Sequence, residues 1–281
     1  MSTNTSRAAP RRRRMSAGMR VKQVVALTAA LITVSPLLWM AVSALKPAGE
    51  VFTSFFPSNP TLDNLVYIMT EVPFARYLLN SALVAGVVTA VALLFHSMAA
   101  YALARLRFPG RGLAFALIVA TLLVSLPVIL VPLFLLAKQL GLLDTYAGLI
   151  LPAIFNAFGI FLLRQYYLSV PRELEEAARI DGCGYLRIYW HVILPLSKSA
   201  LAALAVLFFL VNWNAFLWPL TITRDPDLWV IQIGIASLQG QHSAAWNLIM
   251  AAALLAALPT VIVFAIGQRR LVNALKTSGL K

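Results

Sequence analysis

The stretch EEAARIDGCG, Glu175–Gly184, puts four charged side chains and two glycines into ten residues. The surrounding chain of 281 residues is 60% hydrophobic and only 12% charged. A polar island of this kind, with long apolar runs on either side, is a connection at a surface of something otherwise embedded. The reading of the whole chain follows from that contrast.

Mean hydropathy is +0.83, far outside the soluble globular range, where roughly half of all residues are apolar. The apolar residues fall in runs of about 20 or more, the length a helix needs to cross a hydrocarbon core of about 30 Å. A chain this short cannot bury that many apolar helices in water. The expected fold is all-α, a polytopic membrane protein with six transmembrane helices. The spans run over about 24–45, 77–102, 113–137, 145–168, 196–220 and 245–267. A basic tail over 1–23 precedes them, a polar connection over 169–195 separates the fourth and fifth, and a tail over 268–281 follows. Pro36, Pro127, Pro132, Pro152 and Pro259 lie in or near the spans. Neighbouring helices can satisfy the backbone groups they free, so they do not veto the assignment.

Basic residues near span ends stay in the cytoplasm. With the N-terminus inside, Arg7, Arg11 to Arg14, Arg20 and Lys22 are cytoplasmic, as are Arg105, Arg107 and Arg111. So are Arg164, Arg172, Arg179, Arg187 and Lys198, and then Arg269, Arg270, Lys276 and Lys281. Only Lys46, Arg76, Lys138 and Arg224 remain outside, four of 23. Both termini are therefore expected in the cytoplasm. The net charge of +13 is a consequence of topology rather than a sign of nucleic-acid binding. A different reading makes the first basic block and apolar run a signal peptide cleaved after Val42-Ser43-Ala44, but the remaining topology needs that run.

The quoted stretch then lies in the longest cytoplasmic connection and reads as a short helix. Pro171 suits a first helical position, and Glu173, Glu175 and Glu176 suit the first turns, where the helix dipole favours negative charge. Gly182 comes where the helix should stop, able to take a left-handed conformation. Leu174, Ala177, Ala178 and Asp181 share one face at i, i+3, i+4 and i+7, and the alanines would allow another surface to approach closely. A second amphipathic piece, Tyr185 to Val192, leads to Pro195 at the mouth of the fifth span. An ordinary solvated loop helix would look much the same.

Glu176-Ala177-Ala178-Arg179-Ile180-Asp181-Gly182, nine further residues and Val192-Ile193-Leu194-Pro195 resemble the EAA signature of binding-protein-dependent ABC importer permeases, with Val192 in place of the usual isoleucine. Ala100-Tyr101-Ala102-Leu103-Ala104-Arg105-Leu106-Arg107-Phe108-Pro109-Gly110 and Trp213-Asn214-Ala215-Phe216, followed by Pro219-Leu220, resemble the carbohydrate-uptake, maltose-type inner permeases. Gly141-Leu142-Leu143-Asp144-Thr145 and Arg164-Gln165-Tyr166-Tyr167 fit the same branch. The resemblance implies a MetI-like permease fold and partners: a second permease subunit, two ATP-binding subunits and an extracellular solute-binding protein. It implies that the polar island is a coupling helix seated in the ATPase, with Glu176, Ala177, Ala178, Asp181, Gly182 and Pro195 as coupling residues. The tail pieces Gln268-Arg269-Arg270-Leu271-Val272 and Thr277-Ser278-Gly279-Leu280-Lys281 resemble the end of such permeases, which reaches the interface of the two ATPases.

Enzyme readings fail on the residues. There is no G-x-x-x-x-G-K-[ST] loop to cradle phosphate, and no H-E-x-x-H among His96, His191 and His242. Gly182-Cys183-Gly184 lacks the third glycine of a dinucleotide-binding turn. No catalytic residue, metal site or cofactor is expected, and Cys183, the single cysteine, excludes an internal disulfide. The reading from another class is an ion-gradient-driven secondary transporter or channel, which usually carries ionisable groups at membrane depth; here Asp and Glu fall almost wholly in loops. Asn80, Asn156, Asn212, Trp213 and Asn214 lie inside spans, either binding a solute or joining helices. Asn80 is expected to join helices, and Asn212, Trp213 and Asn214 to line the solute path. His96 is expected to be packed or pore-facing.

Overall fold

The computed structural model describes the backbone of residues 17–241 and 245–278, and the side chains of 22–240 and 245–268. Arg7, Arg11 to Arg14, His242 and Gly279-Leu280-Lys281 lie outside the described residues. All regular structure among the described residues is helical. In chain order the α-helices are α1 (Ala17–Ala44), α2 (Asp63–Thr70), α3 (Phe74–Arg105), α4 (Arg111–Ala120) and α5 (Leu126–Gln139). Next come α6 (Tyr146–Ile154), α7 (Ala157–Ser169), α8 (Glu173–Ile180), α9 (Tyr185–Ile188) and α10 (Leu194–Leu196). The last are α11 (Lys198–Trp213), α12 (Leu217–Ile222), α13 (Ile231–Gln241) and α14 (Trp246–Ser278).

Among the described residues three helices are long and apolar enough to cross a membrane alone: Lys22–Ala44 of α1, α3, and Trp246–Gln268 of α14. Three bent pairs pass the same test when each is taken as one unit. The centre is α3, which packs against α6, α7, α11 and α13, while α14 packs against α1, α2, α11 and α13. Large apolar side chains face outward in quantity, Leu79, Val128 and Leu123 among them. That is the reverse of a water-soluble surface.

The expected third span is not one helix. A 3₁₀ turn, Thr121–Leu123, ends α4, and α5 leaves at 104° to it. Pro127 has no N–H for the Leu123 carbonyl and its ring crowds that oxygen, so the helix opens at Val124 and Ser125, both extended. The fourth span bends by 40° between α6 and α7. Pro152 frees the Gly148 carbonyl, which accepts the Trp218 indole N–H at 3.0 Å. The expected fifth span stops early, at Trp213. Its continuation would bring the Pro219 ring against the Ala215 carbonyl, so α12 starts anew at Leu217.

Between the polar connection and α11 the chain turns by 75°. Pro195 cannot bond the His191 carbonyl, and Tyr189–Ile193 forms a π-helical turn just before it. Ser197 Oγ then donates back to the Ile193 and Leu194 carbonyls at 2.8 and 3.0 Å, a pattern that bends helices. At both ends the helices outrun the expected spans, since α1 begins at Ala17 and α14 continues past Gly267 to Ser278. The stretch after Gly267 contains no proline or glycine up to Ser278, so nothing stops the helix there.

Candidate functional site

The polar island forms α8, with Glu173, Glu175 and Glu176 in its first turn. Helical hydrogen bonding starts from Arg172, whose carbonyl accepts from Glu175 N and Glu176 N. Pro171 therefore lies just ahead of the helix rather than in its first position. The C-terminus closes on Gly182, whose φ is +79°. Cys183 N donates to Ala178 O and Gly182 N to Arg179 O, each at 2.9 Å. These are the paired bonds of a Schellman cap, which needs a left-handed residue at the glycine.

Sequence reasoning missed what fastens α8 to the membrane helices. Glu175 is 5% exposed, and its Oε1 lies 3.0 Å from Arg105 Nε. Arg105 ends α3, and its Nη2 also donates to the carbonyls of Tyr167 and Val170 at the end of α7. A cation there satisfies the terminal carbonyls of α7 and complements its dipole. One guanidinium thus ties α3, α7 and α8 together. Two adjacent glutamates, Glu175 and Glu176, could not be told apart in the sequence; only the helix phase turns the first inward.

With Glu175 inward, α8 turns its other side out. Glu176, Ala177 and Asp181 are exposed, while Ala178 is half-buried against the chain's own core beside Tyr167 and Tyr189. Of the expected face, Leu174, Ala177 and Asp181 remain open. Ile180 is 87% exposed and Leu186 64%, beside Tyr185, whose ring lies under Arg179 at 4.7 Å. Pro195 sits at the bend between this platform and α11.

The second feature is a cavity of ≈ 680 Å³, within the roughly 300–1,000 Å³ of small-ligand sites. Its walls include Thr121, Leu122, Val124 and Leu126 around the first break, Ala153, Phe155, Asn156 and Ala157 around the second, and Asn212, Ala215, Trp218 and Pro219 around the gap between α11 and α12, with His96 of α3 behind. Irregular backbone at membrane depth is tolerated only where protein buries it or where it lines a water-filled cavity. Here three of the breaks face the same one, and the bend at Ser197 does not. His96 is 1% exposed, and its Nε2 accepts the Asn156 backbone N–H at 3.3 Å. Asn156 Oδ1 in turn accepts from Phe158 N at 2.8 Å, capping α7.

Of the three residues expected along the solute path, the structure brings only Asn212 to the cavity. Consecutive helical residues point about 100° apart, so they cannot share a wall. Trp213 is 2% exposed, stacked on Phe209, with its indole N–H on the Ala256 carbonyl at 3.2 Å. Asn214 faces another way, its Nδ2 on Leu210 O and its Oδ1 accepting from Gln232 Nε2 at 3.1 Å. Asn80 joins elements, since it donates to the Asp227 and Trp229 carbonyls and accepts from Tyr146 OH. Among the described residues no group of His, Cys, Asp and Glu side chains could hold a metal ion.

An exposed helix fastened to a central one, with broken helices meeting at one cavity, fits a membrane permease. The chain belongs to the binding-protein-dependent transport system inner membrane component family, whose pattern matches residues 92–277. It is thus a permease of the ABC importer type, held in the membrane by several passes. It is 38% identical over 258 residues to an arabinooligosaccharides transport system permease protein of Halalkalibacterium halodurans, covering 90% of this chain and 92% of that one. It is 36% identical over 266 residues to an sn-glycerol-3-phosphate transport system permease protein of Yersinia pestis, covering 91% and 95%. Among solved structures, a chain of a bacterial ABC transporter involved in the import of the acidic polysaccharide alginate matches with a TM-score of 0.76. Its identity is 26%, over 91% of this chain and 98% of that one.

Proposed function

We propose that this chain is one half of the channel of an ATP-driven importer for a sugar or sugar-like solute, crossing the cytoplasmic membrane six times with both termini inside. A second permease subunit completes the channel, two ATP-binding subunits supply hydrolysis, and an extracellular solute-binding protein delivers the cargo. The names of the relatives support the solute class, and the 19-to-4 distribution of basic residues supports the orientation.

The observation that carries the coupling role is the platform around α8. A solvated loop gains nothing by presenting Ile180 and Leu186 to water from a helix capped at Gly182 and fastened through Glu175 to α3. Glu176, Ala177, Asp181 and the exposed apolar pair form the docking side; Ala178, Gly182 and Pro195 set its shape and its connection to α11. The ATPase moves the channel only through contacts that differ between its ATP-closed and open states. Asn212 lines the solute path. Trp213 and Asn214 hold the wall from behind, through Ala256 and Gln232.

Co-expression with the neighbouring subunits and purification tests this reading. A core of two permease and two ATP-binding polypeptides is the expected product. A stable, transport-competent homodimer without any ATPase would overturn it.

A further inference from the structure

The relatives carry names of both neutral and anionic solutes, and the cavity itself discriminates between them. Among the described residues no Asp, Glu, Lys or Arg lines it, and His96 is its one titratable side chain. The His96 nitrogen that accepts the Asn156 N–H is unprotonated, so the ring contributes no positive charge. Both guanidinium groups of α3 lie outside the lining and are engaged, Arg105 by Glu175 and two carbonyls and Arg76 by Asp227 at 2.6 Å.

Helix N-termini are the other common anion sites, because their free N–H groups point at the ligand. Three helices begin at this cavity, and none offers a free set. At α7 the Asn156 and Phe158 N–H groups are taken by His96 Nε2 and Asn156 Oδ1. In α5 the second residue is Pro127, and in the six-residue α12 the third is Pro219, so each lacks a donor in its first turn. What remains suits hydroxyl groups. The Asn212 Nδ2 is held by Phe208 O, which leaves its Oδ1 as an acceptor. The Trp218 ring lines the wall.

Resting on the reading of this cavity as the solute path, we infer that the molecule passing it is an uncharged polyhydroxylated one, a neutral saccharide, and not a phosphate or carboxylate. An anion here would exchange its hydration for this subunit's apolar walls, with no compensating charge from this chain.

Thiol accessibility in the complete transporter tests this. In a Cys183→Ser background, Asn212→Cys is placed in the cavity, with Ala215→Cys as a second position should the first fail to assemble. Each is reacted with a neutral glucosyl methanethiosulfonate and with the anionic sulfonatoethyl reagent, both rates normalised to free cysteine. The neutral reagent is expected to react faster by about tenfold or more, the scale of a modest charge penalty. Adding Val211→Lys, at another lining position, should then raise the sulfonate rate. Equal or faster sulfonate reaction without that lysine, or no acceleration with it, overturns the inference and leaves the solute path intact. Failure of both reagents to react at both positions overturns the path reading as well.

Discussion

Arg105 and Glu175 face each other at 3.0 Å with side chains only 3% and 6% exposed, joining the end of the central helix α3 to α8. Removing one partner of a buried pair strands the other charge and costs about 3–5 kcal/mol. Glu175→Ala should therefore lower the thermal midpoint of the purified complex and reduce uptake. Arg105→Ala should cost more, because it also removes the guanidinium donor from the Tyr167 and Val170 carbonyls. The double mutant should lose clearly less than the sum. Strict additivity in such a cycle would show that the pair does not act as one joint.

Gly182 separates conformation from contact. Its φ of +79° disfavours any side chain, yet a Cβ there would meet nothing within 4 Å. Gly182→Val should cost about 1–2 kcal/mol from the left-handed backbone alone, and Gly182→Asn less, since asparagine tolerates that region. Both should insert normally. ATP-coupled uptake at matched expression should fall in the order Gly, Asn, Val, and normal uptake by the valine variant would show that the turn can be rebuilt without harm.

These two joints differ in how far the sequence discloses them. The all-helical fold, the placing of α8 and the glycine that ends it follow from local rules: run length, helix dipole, left-handed tolerance. Broken spans are less legible. Pro127, Pro152 and Pro219 are visible, but whether a proline kinks a helix or opens it depends on which neighbour takes the freed carbonyl, as Trp218 does for Gly148. The cavity wall is least legible, because Asn212, Trp213 and Asn214 share a motif but not a direction. Arg105 stood in a quoted stretch without a role, since its partner lies 70 residues away and is chosen only by the phase of α8.

Gly159 is a position where a small residue makes room for a specific ring. A Cβ there would lie 2.4 Å from His96 Nδ1 and 2.6 Å from Phe208 Cζ. Gly159→Ala should destabilise by about 1–3 kcal/mol, the usual range of overpacking, and displace His96 from the Asn156 N–H. Adding His96→Ala should recover only part of the loss, because Phe208 still occupies the second contact. Thermal unfolding of the three variants measures this, and full recovery in the double mutant would show that Phe208 yields freely.

On the side assigned to the exterior, Asp144 has a positive φ of 51° and accepts the backbone N–H groups of Arg224 and Asp225. Those two bonds hold its carboxyl below the usual carboxylate range, that of Arg224 most. A lowered folded value means that the stabilisation is complete above the unfolded value, about 3.9. It is lost as pH falls through the lower folded value. Hydrogen exchange at the Arg224 and Asp225 amides, corrected for intrinsic rates, should stay slow at pH values above that range and quicken beneath it. Asp144→Asn should remove the transition, and a midpoint near neutral pH would rule out Asp144 as its source.

The final helix offers a test of reach. At about 1.5 Å per residue, the 33 residues of α14 extend roughly 50 Å, against a hydrocarbon core of about 30 Å. On the proposed topology about 20 Å of helix extends beyond that core, so a displacement of the span would carry the end with it. The segment closing at Lys281 resembles tails that reach the ATPase interface in maltose-type permeases. Deleting Lys276 to Lys281 should leave insertion unchanged, because Arg269 and Arg270 still hold the orientation. Solute-stimulated ATP hydrolysis by the reconstituted complex should nonetheless fall, with basal hydrolysis less affected. If stimulation is unchanged after the deletion, the tail serves topology alone.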